Sequence, residues 1–536
     1  MPGKSCCRPN RSGWLFLFGV FHRLSFDLYS ILNNFYVGNP IKKWQQQGLW
    51  KDVRRDILYD RERKNGEKEE HMMEKNGKKS LFSIEITTGS LWKNILLFSL
   101  PLMMTQVLEV LFNLSDVAIA GKFADYLALG AVGSTTLLVS LFTGLLIGIG
   151  SGVNVVVARG LGLGSHEDVE KTIHTSLLIC SGIGIVVCLV CLLLAKPMLL
   201  LLNTKEELLP GAVGYLRIYA LGMPAMAVYN FGNGVLSAAG DTKRPLLYLS
   251  IAGVVNVALN LFFVIQCHMA ALGVAIASAI AQWLSALLIM RHLMSQKDAC
   301  RVHLKKLCID KAAAKRVLMI GIPSGLQNAI FAVANLFVQI GVNSFDSVMV
   351  SGSSAAANAD TLIFNMMSAF YTGCATFVSR NWGAGKTDRI LKSYRIVLLY
   401  SFLVGSICGG LLLLFGDKFL GLFANEADVI AAGMQRLKIM GFSFGVSALM
   451  DASIAASRGI GRSIIPPSSS SWAPACSGSS GCTRCSPTSA PSPPCSCCTS
   501  SPGPSRALPS GPTSGTATRN TSCTDKYGKR TPRPVD

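Results

Sequence analysis

Apolar residues fall in ten long runs between about Leu91 and Pro466, separated by short polar turns. The runs cover 92–118, 128–157, 170–195, 210–236, 245–266, 272–290, 316–342, 355–380, 396–415 and 430–456. Each reaches the roughly 20 residues that a helix needs to cross a hydrocarbon core of about 30 Å. Spanning strands are excluded, because open edges cannot lie in lipid and no ten-residue alternation is present. The pattern predicts an all-α polytopic membrane protein.

The runs repeat. At a shift of about 221 residues Pro101 meets Pro323, and Arg159-Gly-Leu-Gly162-Leu-Gly164 meets Arg380-Asn-Trp-Gly383-Ala-Gly385. Leu216-Arg217-Ile218 likewise meets Leu437-Lys438-Ile439, and Gly240 and Pro245 meet Gly461 and Pro466. An even number of spans per copy makes the copies parallel, related by an axis along the membrane normal, an arrangement found in transporters whose two bundles rock about a central cavity. The expected design is two pseudo-symmetric six-helix bundles. Residues 73–300 form an N-lobe of six spans, and residues 301–466 supply four spans of a C-lobe.

Both ends of the chain break this pattern. Residues 467–536 are dominated by Ser, Cys, Thr and Pro, a composition that cannot bury a core. Serine codons of the TCN type and cysteine codons, read from their third base, give codons with T in the middle, which encode Leu, Ile, Val, Phe or Met. The tail therefore reads as an apolar segment one base out of register, and a frameshift near Pro466 is expected to have replaced the last two helices. Residues 1–72 read as a non-native or disordered leader. Its one apolar patch, Trp14–Val20, is short, with no small-residue cleavage site after it. Lys68-Glu-Glu-His71 before Met72-Met73 has codons compatible with a bacterial ribosome-binding sequence, which places the expected start at Met72 or Met73.

Composition sharpens the membrane reading. Of 536 residues 50% are hydrophobic and only 15% charged, where a soluble domain carries nearer a quarter charged. The net charge of +20 would suit nucleic acid or an anionic surface. The basic residues, however, lie mainly in the leader, the tail and the loops, so no nucleic-acid partner is expected. They cluster after the second, fourth, sixth and eighth spans, at Arg159–Lys171, Lys243-Arg244, Arg291–Arg316 and Arg380–Arg395. The positive-inside rule then puts the N-terminus in the cytoplasm of a multi-pass plasma-membrane protein. Of the 17 cysteines, seven lie between Cys476 and Cys523. Cys482-Thr-Arg-Cys485 has zinc-like spacing but no matching second pair, and most of the other cysteines sit singly in apolar runs as packing residues.

Ionisable groups inside spans are costly and mark function. Glu109 and Asp116 lie two turns apart on one face of the first span, with Asn113 between them. The fifth span places Asn256 and Asn260 at i, i+4. Carboxylate and amide oxygens suit a hard cation such as sodium, and a desolvated carboxylate equally suits a proton. Asp451 of the tenth span stands at the repeat position of Asn230, and both are cavity candidates. The asparagines also fit plain interhelical hydrogen bonding. The Gly-rich turns lack the phosphate-loop pattern and follow no strand, so energy is expected from an ion gradient, without a nucleotide or other cofactor. No catalytic constellation occurs in the spans, which argues against an enzyme. An arginine-lined cavity would indicate flipping of a lipid-linked saccharide, and only Arg217 lies near a span end. A non-functional truncated product is a further alternative.

From about Leu91 to Pro466 the chain resembles the multidrug and toxic compound extrusion (MATE) exporters of the bacterial type. The resemblance rests on Pro101 followed by Asn113-Leu-Ser-Asp116, on Ala158–Gly164, and on Tyr215-Leu-Arg-Ile-Tyr219. It continues through Ala239-Gly-Asp-Thr-Lys-Arg-Pro245, Ile322-Pro-Ser324 and Arg458-Gly-Ile-Gly461. It implies twelve helices in two lobes and export of organic cations and other amphipathic compounds in exchange for sodium or protons, with the lipid bilayer and small molecules as partners of a monomer. By the same resemblance Asp116 matches the coupling acid of the N-lobe and Asn256 an amide of that site. Asn260 stands where some members carry aspartate, and Asp451 resembles an acid of the C-lobe cavity. The seventh-helix glutamate of some members is replaced by polar candidates Gln327 and Gln339.

Overall fold

The computed structural model describes residues 84–123, 126–342, 345–421 and 426–462. The leader, the tail with its shifted-frame reading, and Cys482–Cys485 lie outside these residues, as does the side chain of Gln339. The described chain is helical, in the order α1 (Leu91–Phe123), α2 (Tyr126–Leu163), α3 (His166–Leu201), α4 (Leu209–Ala220), α5 (Met223–Ala239) and α6 (Lys243–Leu261). A π-helical turn, Phe262–Gln266, extends α6. There follow α7 (Ala270–Ser295), α8 (Lys311–Val342), α9 (Ser347–Gly383), α10 (Thr387–Leu420) and α11 (Ala427–Gly459).

These helices account for all ten expected spans. Eight are continuous, and two are bent: α4 with α5 by 44°, and α11 by 46° between Gly441 and Ser443. The bends fall at repeat-related positions. The turns repeat as well: Gly164 and Gly385 have φ of 75° and 69°, and Gly240 and Gly461 have φ of 93° and 89°. A left-handed residue closes a helix cheaply only when it lacks a Cβ. Duplication has therefore preserved the punctuation of the chain while most side chains diverged.

The bundle is inside-out relative to a soluble protein. Leu193, Leu201, Val254, Leu287 and Leu414 are strongly exposed, as lipid contact requires, and the interhelical seams use small residues. Gly144, Gly148 and Gly152 of α2 lie four apart, facing Gly321 and Gly325 of α8. A Cβ at Gly148 would stand 2.2 Å from the Gly325 nitrogen, and one at Gly152 2.7 Å from the Gly321 nitrogen. The two backbones touch there.

The halves also meet across α2 and α9, reciprocally. A Cβ on Gly162 would stand 2.1 Å from the Arg380 carbonyl oxygen, and one on Gly383 2.2 Å from that of Arg159. Arg159 and Arg380, like Gly162 and Gly383, are repeat partners, so the pseudo-twofold axis passes between these turns. Nearby Thr376 Oγ1 donates to Asn154 Oδ1 (3.0 Å) and Ser379 Oγ to the Val155 carbonyl (2.6 Å).

The segment before α1 fastens this same end. Ile84 N–H donates to the Gly240 carbonyl (3.0 Å). Arg389 of α10 donates to the carbonyls of Gly89, Ile86 and Thr88, and Lys386 to that of Thr87 (3.0 Å). The connection between α7 and α8 is pinned to α3: His303 N–H donates to His174 Nε2 (2.9 Å), and Asp310 N–H to Thr175 Oγ1 (3.0 Å). Within it, burial pushes the Cys300 thiol up to about 12, which keeps it an unreactive packing group.

Candidate ion and substrate site

Asp116 is 8% exposed and sits where α1, α6 and α7 converge. Its Oδ1 accepts from Asn260 Nδ2 at 2.5 Å and its Oδ2 from Ser278 Oγ at 2.9 Å. Asn260 Nδ2 also reaches Asn256 Oδ1 (3.2 Å), and Asn256 Nδ2 donates to Ser278 Oγ (3.2 Å). Four buried side chains thus form one closed ring. The i, i+4 spacing on α6 turns both amides to the same face, as the sequence pattern requires. Asn260 Oδ1 is buried with no partner among the described residues. An orphaned acceptor beside a carboxylate is costly unless something positive completes it.

Sequence reasoning placed Asp116, Asn256 and Asn260 here and missed Ser278. In the alternation of small residues along α7, a serine reads as packing, and nothing in the sequence separates the two roles. The resemblance made Asn256 an amide of this site, and the structure places it in the ring together with Asn260, whose contact with Asp116 is the shorter.

The remaining candidates are dispersed. Glu109 is half-buried within electrostatic reach of Tyr219 and Tyr229. Asn113 is exposed between the two acids. Asn230 donates to its own helix at the Met226 carbonyl (3.0 Å) and packs on Gly150. Asp451 is buried on α11 in a stripe with Arg436, Ser443, Ser447 and Arg458, spaced four or seven apart. Arg458 donates to Gln327 Oε1 of α8 at 3.1 Å.

The expectation that Arg217 is the one arginine near a span needs correction. Arg217 is exposed and donates to the Leu192 carbonyl (3.1 Å). Others lie within the helices of the second half, among them the half-buried Arg380, Arg436 and Arg458. Arg436 was missed because its partner is 76 residues away on another helix: its Nε and Nη2 both donate to Asp360 Oδ2 (3.1 and 2.8 Å), and its Nη1 donates to Ser353 Oγ (2.6 Å). Arg380 Nη1 is taken by the Ala238 carbonyl (2.6 Å).

A second polar feature escaped the hydropathy pattern. Ser354, Asn358, Thr361, Asn365, Ser368 and Thr372 alternate at spacings of four and three and make one stripe along α9. The stripe continues into Thr376 and Ser379, which are fully buried against α2. Toward the other end Ser354, Thr361 and Thr372 are exposed. A polar stripe at membrane depth is tolerable only along water or protein. The stripe thus runs from an exposed end at Ser354 to a buried end at Ser379, which is packed against α2 near the Gly162–Gly383 contact.

One family model, MatE, matches the chain twice, at residues 101–262 and 323–468. "Probable multidrug resistance protein YpnP" of Bacillus subtilis is 26% identical over 360 residues, covering 67% of this chain and 80% of that protein. The "FAD transporter" of Shewanella oneidensis is 23% identical over 348 residues, with 63% and 76% covered. Among solved structures, a MOP superfamily transporter from Pyrococcus furiosus superposes with a TM-score of 0.71 at 19% identity, over 76% of this chain and 91% of that one. An outward-facing multidrug resistance MATE transporter gives the same score, identity and coverage. The two matched stretches begin at Pro101 and Pro323, the same prolines that open the internal repeat, and together they span more than half of the sequence: the chain belongs to the MATE family of efflux transporters.

Proposed function

We propose that the chain is a secondary antiporter of the plasma membrane, exporting small organic, cationic or amphipathic compounds in exchange for sodium or protons, with its N-terminus cytoplasmic. The observation that carries the reading is the buried ring around Asp116. Its oxygens are a carboxylate, two amides and a hydroxyl, a set that fits a hard monovalent cation. Asp116, Asn256, Asn260 and Ser278 would hold that ion, which supplies the positive charge that a buried carboxylate lacks. Without it, the Asn260 amide N–H and the Ser278 hydroxyl stabilise Asp116. A proton on Asp116 meets the same need by removing the charge. The ring joins α1 to α6 and α7, so a change in the charge of Asp116 alters how α1 is held against its neighbours, and α1 packs on α9 of the other half.

The basic turns at Arg159–Lys171, Lys243-Arg244 and Arg380–Arg395 lie at the same end of the bundle as the Gly162–Gly383 contact, which supports a cytoplasmic N-terminus. The relatives' names support multidrug export. A lipid-linked saccharide flippase is less favoured, because Arg380, Arg436 and Arg458 are each engaged by a protein acceptor. Expression in a pump-deficient host, of this chain and of a version with the tail restored by one base, tests the reading. Lower drug sensitivity that disappears on Asp116→Asn at equal protein abundance is expected. Unchanged sensitivity with both genes, each in the membrane at normal abundance, would reject it.

A further inference from the structure

The segment that joins the two halves, residues 296–310 between α7 and α8, has an inner and an outer side. Its inner side is fastened to the bundle. Cys300 and Val302 are buried, Val302 N–H donates to the Leu293 carbonyl (3.1 Å), and Thr175 Oγ1 of α3 donates to the Cys308 carbonyl (3.2 Å). Its outer side carries Leu304 and Ile309, exposed at 57% and 64%. Unlike the exposed leucines of the helices, these two lie outside every span.

Two helices fix the level at which the segment lies. On α3 the chain is free of charged residues from Thr175 to Ala195, and on α8 from Val317 to Val342. The segment is tied to α3 at His174 and Thr175 and runs into α8 at Lys311. It therefore follows the boundary between polar and apolar surface, where lipid headgroups sit. On α8, Lys311, Lys315, Met319, Ile322 and Leu326 recur at spacings of four and three, on one exposed face. At the 222-residue offset of Pro101 and Pro323, α1 repeats that face from Lys93 through Leu97, Leu100 and Met104, all exposed. The lysines thus stand at the edge of a lipid-facing stripe.

Charge points to the occupant. Residues 297–316 hold seven Lys and Arg against two Asp. Lys306 is engaged by Glu170 (3.0 Å), and Asp310 accepts from the Ala313 N–H (2.7 Å). Lys305, Lys311, Lys315 and Arg316 are exposed and pair with no carboxylate among the described residues. In the basic turn after α9, by contrast, Arg380, Lys386 and Arg389 are taken by backbone carbonyls.

We propose that this connection is a docking surface for anionic phospholipid headgroups. Lys305, Lys311, Lys315 and Arg316 meet the phosphate, and Leu304 and Ile309 enter among the first acyl carbons. Basic groups near an anionic surface and apolar groups at its boundary each strengthen such binding. Lysine stems lie along apolar surface while their ammonium groups stay at the headgroups. Bound lipid would hold the stretch of chain that links the halves. The site requires the helices to lie in a bilayer and depends on no transport step.

Native mass spectrometry of the full chain in detergent, with dioleoylphosphatidylglycerol or dioleoylphosphatidylcholine added, tests this. The native chain is expected to retain the anionic lipid over the zwitterionic one. Lys311→Gln/Lys315→Gln should weaken phosphatidylglycerol binding by about fivefold for each lysine. Leu304→Asn/Ile309→Asn, which keeps every charge, should weaken it by about tenfold. Lys392→Gln/Arg395→Gln on α10 removes as much charge at the same end and should change it by less than about twofold. Excess glycerol phosphate, which has no acyl chains, should not displace the lipid. Native binding without preference for phosphatidylglycerol overturns the proposal, as does an equal loss in the α10 variant. So does full binding in Leu304→Asn/Ile309→Asn, or displacement by glycerol phosphate. None of these outcomes bears on export, which the pump-deficient host reads separately.

Discussion

Within its spans the first half buries a carboxylate among neutral partners, and the second buries one against an arginine. Asp116 faces two amides and a hydroxyl, with an amide oxygen left over. Asp360 faces Arg436 in a direct ion pair. The two halves otherwise share turns, bends and a reciprocal glycine contact at a constant offset. The difference teaches that duplication fixed the frame and divergence placed the charge. On the proposed antiport reading, the half with an unneutralised acid is the one that takes up a mobile cation. In the other half the cation is already tethered.

That comparison can be broken at several points. The largest effect is expected from the shared frame: Gly162→Val or Gly383→Val drives a side chain into a backbone carbonyl 2.1 or 2.2 Å away. Each should cost about 3 kcal/mol or more, read as loss of the monodisperse peak and a lowered Tm in detergent. Equal behaviour of the two variants would confirm the symmetry, since each glycine meets the partner half in the same way.

Next comes the tethered cation. Arg436→Met strands Asp360, and because the pair is partly exposed the cost should be about 2–3 kcal/mol, below that of a fully buried pair. Combining it with Asp360→Leu should recover most of the loss in a thermal-unfolding cycle. Ser278→Ala removes one of the donors to Asp116 and should cost about 1–2 kcal/mol, weakening ion-dependent efflux while leaving any ion-independent dye binding unchanged. The smallest effect is expected at the end where the halves close. Arg389→Ala deletes the donor to three carbonyls before α1 and should lower stability by about 1 kcal/mol, with faster proteolysis around residues 84–90 as the readout.

Much of this was legible in the chain because a bilayer imposes so narrow a set of solutions. Continuous apolar runs allow little but helices, so the ten spans and their order followed from hydropathy. The positive-φ glycines were visible as Gly-rich turns. The bends near Gly222 and Gly441 were not, since a break in a span depends on backbone packing that no composition reveals. The same holds for the site. A lone carboxylate such as Asp116 inside a span announces itself, and i, i+4 asparagines on α6 can be assigned to one face. Asp360 and Arg436 stand in segments rich in Ser and Ala, where their pairing depends on how α9 lies against α11. The stripe from Ser354 to Thr372 was hidden for a related reason: its small residues alternate with apolar ones, so the span still passes as apolar, and they bond back to their own helix, as Thr361 does to the Ala357 carbonyl (2.9 Å).

The central claim is that the buried ring at Asp116 couples an ion gradient to export. Transport into proteoliposomes under an imposed sodium or proton gradient tests it most directly, comparing the native chain with Asp116→Asn, an isosteric change that removes the charge and keeps the hydrogen-bonding shape. The account predicts gradient-driven transport by the native protein and its collapse in the variant, with folding and dye binding retained. Equal gradient-driven rates for the two would contradict it.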